Sequence, residues 1–503
     1  MNILSVGFLL FLAVGLTVYY ILPEKYKRIW IFILSAFFLL MHSVYSLVFV
    51  VLTAVIIYWI GKRLSRVTGE DRKQIKARKR RIINLGVCTE LAILVVIKYG
   101  FVVIGFVDGL DGMVDLPAPT FGEGIFLPLG ISYYTLQAIS YILDVYWGRI
   151  PAETSFLSLL NYISFFPHLT QGPISTYGQL SGEINAPHPF RMKNIKFGVQ
   201  LMLWGLFKMM VVSHRASILV EGVFFTGTVP YGLTVLEGLI LFGIQLYCDF
   251  SGGIDIIRGV AQCFGIHMIE NFRQPFFSTS LSEFWRRWHM SLGEWMKNYV
   301  FYPFSMCRAM GSFKKVLKKK VSRKLVNQIS VALAYVVVFY LVGIWHGRGS
   351  VHAAWGLYNG LILGSGVLLE DFYHSAKKRL NIREDSRSWH AFTLLRTFLI
   401  VTVGWVFDCS ASAIHAVVHL AHMLQINRTV LIGGKDLVIL LLLTGVVLAV
   451  DILHEKKISI REVMDRQNYW VQVLFWVVLI QAIACLGRVV IVGGAGGFMY
   501  ANF

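Results

Sequence analysis

The residues best suited to chemistry in this 503-residue chain are two histidines, one closing a long apolar run and the other ending a polar, aromatic segment. His346 closes the apolar stretch 329–345, inside Gly343-Ile344-Trp345-His346-Gly347, and His289 ends the run Glu283-Phe284-Trp285-Arg286-Arg287-Trp288-His289. Desolvation at the end of an apolar run disfavours imidazolium and keeps the His346 ring neutral. A neutral imidazole is a general base. Beside a thioester and a hydroxyl, it takes the hydroxyl proton as the oxygen attacks the carbonyl and hands it to the departing thiol. The alternative is a hydrogen-bonded core histidine, although ionisable residues inside apolar spans are costly and by default mark function. His289 is placed to act as a second polar group, polarising the carbonyl or orienting the substrate. Phe284, Trp288 and Trp295 fall at helical spacing, so residues 284–299 also read as an interfacial amphipathic helix with Arg286 and Arg287 turned away from the aromatic stripe.

The elements that must hold these residues are membrane helices. The chain is 56% hydrophobic and 14% aromatic, with a mean hydropathy of +0.63, outside the range of soluble domains. Uncharged runs of roughly 18 or more residues recur, long enough to cross a hydrocarbon layer. An all-α polytopic protein of about 11–12 spans is expected. The net charge of +19 sits in short loops between spans, where Lys and Arg set orientation; nucleic acid is not an expected partner. Six scattered cysteines without a Cys-x-x-Cys pair indicate neither a disulfide framework nor a metal cluster. Serine-hydrolase elbow, His-Glu-x-x-His and P-loop motifs are absent, so a conventional hydrolase or an ATP-driven pump is disfavoured.

Basic clusters at 62–81, 308–324, 377–387 and 456–466 mark the cytoplasmic side, and the acidic loop carrying Asp108, Asp111, Asp115 and Glu123 the outside. The apolar block 29–60, about 48 Å long as one helix, is better divided at His42-Ser43 into two short spans. Residues 156–177 are uncharged but broken by Pro167, Gly172 and Pro173, which predicts a re-entrant or buried segment. Residues 412–424 carry His415, His419 and His422 on one face and read as an interfacial helix rather than a metal site. The count puts both termini outside, with a glycine-rich tether at 493–497 leading to Phe498-Met499-Tyr500-Ala501-Asn502-Phe503.

Five ordered blocks carry a resemblance: Leu127-Pro128-Leu129-Gly130-Ile131-Ser132-Tyr133-Tyr134, Phe166-Pro167-His168-Leu169-Thr170-Gln171-Gly172-Pro173, Tyr247-Cys248-Asp249-Phe250-Ser251-Gly252, the stretch from Glu270-Asn271-Phe272-Arg273-Gln274-Pro275-Phe276 through His289, and Gly343 to Gly347. The chain resembles the membrane-bound O-acyltransferase family, and most closely its bacterial branch of alginate O-acetylases and teichoic acid D-alanyl transfer proteins. The resemblance implies one integral domain over 1–503, with N-terminal spans in 1–120, a catalytic core in 121–370, C-terminal spans in 371–492 and the tail 493–503. It also implies helices around a central funnel in a plasma membrane, with the acyl donor reaching it from the cytoplasm and the acceptor from outside.

The same resemblance assigns His346 and His289 as the catalytic histidines and Asp249, Ser251, Asn271, Trp285, Arg286, Arg287, Trp288 and Trp345 to the substrate-facing funnel. Cys248 stands where an aromatic is common, and Arg273-Gln274 departs from the usual order. The terminal Phe-x-Tyr-x-x-Phe resembles the motif of a partner peptide in D-alanylation and makes Tyr500 a candidate transient acyl carrier, against an aromatic anchor. No bound cofactor is expected; the donor is acetyl-CoA or another acyl thioester. The expected function is transfer of an acyl group, acetyl first, toward a cell-envelope or exported polysaccharide, with a separate extracytoplasmic transferase completing the reaction. D-alanyl transfer from a carrier protein, a non-enzymatic transporter and a lipid-modifying acyltransferase are the rivals.

Overall fold

A computed structural model describes residues 3–111, 128–225, 230–347, 349–425 and 434–487. The outer-loop residues Asp115 and Glu123 and the tail with Tyr500 lie outside them. Among the described residues there is no strand, as the all-α polytopic reading requires. Six helical runs are long and apolar enough to cross a membrane: Val44–Ser65, Met192–Phe224, Leu233–Cys263, Arg323–His346, Lys435–Glu455 and Tyr469–Leu486. The described residues fall into two compact units, 3–202 with 257–269, and 203–256 with 270–487.

The first unit opens with α1 (Val6–Ile21), α2 (Glu24–Leu40) and α3 (Val44–Ser65). The chain breaks at residues 41–43, where Ser43 caps α3 by accepting from the Tyr45 amide, so the long apolar block is indeed two helices. The basic loop differs from expectation. α4 (Arg72–Asp111) begins inside it, because Arg, Lys, Gln and Ala are strong helix formers and Asp71 Oδ1 accepts from the Lys73 amide at 2.7 Å. At about 60 Å for 40 residues, α4 is far longer than a bilayer crossing.

After α5 (Ile131–Trp147), the uncharged stretch splits into α6 (Phe156–Ser164), α7 (His168–Gln171) and α8 (Tyr177–Asn185). Nearly all of residues 158–175 is buried. Backbone groups freed by the breaks find side-chain partners: Gln137 Nε2 and the Tyr162 hydroxyl donate to the Ser175 carbonyl at 3.2 and 2.9 Å, and the Phe166 amide donates to Ser35 Oγ at 3.2 Å. Irregular backbone in a membrane protein survives only with such partners, which accounts for the Gln, Tyr and Ser in otherwise apolar helices. The unit boundary falls within α9 (Met192–Leu206) and again within α11.

In the second unit α9 continues through a π-helical turn, Phe207–Ser213, into α10 (His214–Phe224), followed by α11 (Leu233–Cys263). Then come the short helices α12 (Leu281–Arg287) and α13 (Met290–Met296), α14 (Tyr302–Met306), α15 (Arg308–Leu317) and the hairpin of α16 (Arg323–His346) with α17 (Ser350–Leu368). The remaining helices are α18 (Glu370–Arg379), α19 (Arg387–Gly404), α20 (Ala413–Met423), α21 (Lys435–Glu455), α22 (Ile460–Asp465) and α23 (Tyr469–Leu486). The single interfacial helix expected over 284–299 is replaced by α12 and α13, broken at Trp288-His289.

Candidate active site

α12 starts on a reciprocal cap. Ser280 Oγ accepts from the Glu283 amide, and Glu283 Oε2 accepts from the Thr279 amide and hydroxyl, both at 2.9 Å. Partial burial pushes the Glu283 carboxyl up, but the Thr279 hydrogen bonds and the Arg287 guanidinium outweigh it and hold the group below its usual range. Arg287 pairs with Glu283 at 2.7 Å and with Glu455 at the end of α21 at 2.8 Å. Two backbone bonds then lace residues 271–273 to the turn after α12: Arg273 N–H to the Arg287 carbonyl and Met290 N–H to the Asn271 carbonyl, each 2.9 Å.

That lacing forces His289 into the left-handed region, φ +46° and ψ +51°, an uncommon conformation for a non-glycine residue. The imidazole is thereby turned inward and buried. Asn271 Oδ1 accepts from the Ser291 amide at 3.0 Å and the Ser291 hydroxyl at 2.8 Å, and lies 3.2 Å from His289 Nδ1. A backbone amide can only donate, so this Asn271 atom is the carbonyl oxygen and His289 Nδ1 must carry the proton. The lone pair of His289 is then on Nε2. His289 lies outside the six spans, and burial pushes it down to about 3, a neutral ring.

His346 ends α16, and its position follows from how closely α17 packs. A Cβ on Gly343 would stand 2.1 Å from the His352 carbonyl oxygen, so only glycine admits this approach three residues before the histidine. The His346 ring is buried, with Trp345 at 4.9 Å and Trp355 edge-on at 5.8 Å. Its centroid is 6.5 Å from that of His289, beyond reach of a direct hydrogen bond between the rings. Phe250 meets His289 edge-on at 4.8 Å, with Phe272 and Trp288 packed around Phe250. The two rings share one aromatic enclosure, too far apart to bond each other and close enough to contact a small group between them.

The other sequence-singled residues divide. Asn271 and Trp288 join the histidine enclosure, and Trp345 touches His346. Trp285 packs edge-on against Trp355 and Phe339, and its buried Nε1 has no hydrogen-bond partner. Asp249 and Ser251 are buried on α11, Arg287 is committed to its carboxylates, and Arg286 is exposed. On α20, His419 Nδ1 lies 3.0 Å from Ser410 Oγ while His422 stacks on Tyr231 at 4.2 Å; the three histidines do not converge, and no metal-ligating group of three is found among the described residues.

Sequence reasoning missed Lys208. Its ammonium is buried, paired with Asp255 at 2.7 Å and donating to Ser251 Oγ at 2.8 Å, and the Tyr247 hydroxyl donates to Asp451 Oδ2 at 2.8 Å. A charged residue interrupting an apolar run was the available signal.

The model of the membrane-bound O-acyltransferase family matches residues 149–410, more than half of the chain. The probable alginate O-acetylase AlgI of Pseudomonas aeruginosa is 30% identical over 411 residues, covering 80% of this chain and 70% of that protein. This chain belongs to the membrane-bound O-acyltransferase family. It is an acyltransferase held in a membrane. Among other relatives, the peptidoglycan O-acetyltransferase of Helicobacter pylori is 26% identical, covering 79% of this chain and 74% of that protein. The teichoic acid D-alanyltransferase of Bacillus subtilis is 26% identical over 55% of this chain and 67% of its own length. Both histidines and the Lys208 cluster belong to the compact unit that the family match largely covers.

Proposed function

We propose that this O-acyltransferase moves an acetyl group from a cytoplasmic thioester, acetyl-CoA in the first instance, to a hydroxyl, for O-acylation of a cell-envelope or exported polysaccharide. The acetyl assignment is supported by relatives named for O-acetyl transfer, which match across about 80% of this chain, against 55% for the D-alanyl relative. The observation that carries the reading is the pair of buried imidazoles 6.5 Å apart.

In this scheme the acceptor hydroxyl lies between the rings. His346 takes its proton as the oxygen adds to the thioester carbonyl, and returns it to sulfur as the C–S bond breaks, so the step is proton-neutral overall. His289 has its Nδ1 proton committed to Asn271. Its Nε2 is therefore an acceptor and cannot polarise the carbonyl; with the reacting proton going to His346, it orients the bound substrate by accepting from a second O–H or N–H of that molecule. Trp285, Trp288 and Trp345 line the enclosure, and Tyr500 serves as a transient acyl acceptor, passing the group to an extracytoplasmic transferase that completes delivery.

The test is incubation of membranes with labelled acetyl-CoA, followed by mass spectrometry of the C-terminal peptide and analysis of glycan. Label on wild type and none on His346→Ala is the expected result. Label from a D-alanyl carrier thioester but none from acetyl-CoA would transfer the assignment to D-alanylation, and acyl groups on lipid alone would overturn both.

A further inference from the structure

We propose that Lys208 is a positioning residue for His289, acting through a polar network inside the second unit. α9 and α11 approach closely where a Cβ on Gly205 would stand 2.4 Å from the Gly252 carbonyl oxygen, and a Cβ on Gly252 would stand 3.2 Å from Lys208 Cβ. This contact, at the start of the π-helical turn, lays the lysine stem across α11. The ammonium reaches Asp255 and Ser251 Oγ, and Ser251 Oγ donates in turn to the Tyr247 carbonyl at 2.6 Å. One turn is thus held at both ends, with Tyr247 fixed by Asp451 of α21 and Ser251 fixed by Lys208.

Phe250 lies on that turn. Tyr247 and Ser251 are within about 100° of it around the helix axis, so the two anchors set the rotation that presents Phe250 to the His289 ring. Tyr247 reinforces the same wall directly, meeting Phe272 at 6.0 Å and Trp288 at 6.2 Å. Buried ion pairs are poor sources of net stability compared with well-packed apolar residues, and their best-attested use is to fix register. Here what is fixed is the register of α11 against the histidine turn. π-turns inside long helices recur at functional sites, and this one supplies the lysine.

The experiment uses the full chain in lipid nanodiscs treated with diethyl pyrocarbonate, which acylates neutral imidazoles. Modification of His289 and of His419 is followed by peptide mass spectrometry; His419 on α20 is held by Ser410 and is the internal reporter of general loosening. Lys208→Met and Tyr247→Phe are expected to raise the His289 rate by about fivefold or more and leave the His419 rate unchanged, the behaviour of a local opening. Lys208→Arg is expected to keep the wild-type rate. If Lys208→Met does not fold, Tyr247→Phe, which deletes one hydroxyl, decides. An unchanged His289 rate, or a parallel rise at His419, overturns the proposal whatever acyl group the enzyme transfers.

Discussion

At the scale of single residues, the site turns on which nitrogen carries a proton. Removing His346 deletes the proposed base, and His346→Ala should lower acyl transfer by about 100-fold or more without unfolding the protein, measured as thiol release from acetyl-CoA. Asn271 tests the tautomer argument separately. Asn271→Leu strips the acceptor from the Ser291 amide and His289 Nδ1–H, each costing about 1–3 kcal/mol, so thermal stability should drop; Asn271→Asp restores an acceptor and should recover most of it. His346 stood out by its apolar flank, whereas His289 follows Arg286 and Arg287 and was singled out by its polar, aromatic segment and the family resemblance. Lys208 was not legible, because its partners Ser251 and Asp255 are more than 40 positions away and only the folded helix pair reveals that its charge is compensated.

At the scale of elements, the instructive difference is the break at His289. Periodicity of Phe284, Trp288 and Trp295 suggests one helix, no proline interrupts it, and its one glycine, Gly293, lies within α13 rather than at the break; the break comes from the backbone bonds of residues 271–273, which no local pattern records. Asn tolerates the left-handed conformation whereas a β-branched residue does not. His289→Asn should therefore stay folded with impaired transfer, while His289→Val should lose about 1–2 kcal/mol more, read from melting curves of the two variants. The clamp on α12 has a pH signature as well. Glu283 is held below its usual carboxylate range, so the Arg287 pair it forms is intact at neutral pH and loosens only when acidification passes through that lowered value. Glu283→Gln should thus leave His289 as exposed to modification at neutral pH as wild type becomes in acid. By contrast, the split of the block 29–60 and the broken 156–177 segment were readable, since His42-Ser43 interrupted an over-long apolar run and Pro167, Gly172 and Pro173 interrupted the other.

At the scale of the whole molecule, hydropathy identifies spans but does not rank them by surroundings, because lipid and an apolar interior select the same residues. Only the extremes run inversely. Met192–Phe224 and Leu233–Cys263 are the least apolar of the six spans and the most buried, 61% and 67%, whereas Lys435–Glu455 is the most apolar and only 11% buried. Polar groups such as Lys208 and Ser251 lower hydropathy where protein surrounds them. The helix most freely exposed is Tyr469–Leu486, with none of its window buried, so its side chains should tolerate exchange among apolar residues while rejecting charge. Leu474, 65% exposed, separates the cases: Leu474→Ile should leave expression and activity unchanged. Leu474→Arg should cost about 2.5–3.5 kcal/mol of insertion free energy near a span centre, seen as loss of the protein from the membrane fraction. An arginine accepted there without loss would mean that this helix faces water or a partner rather than lipid, and would undo the expected outside placement of the C-terminal tail, which depends on the helix crossing.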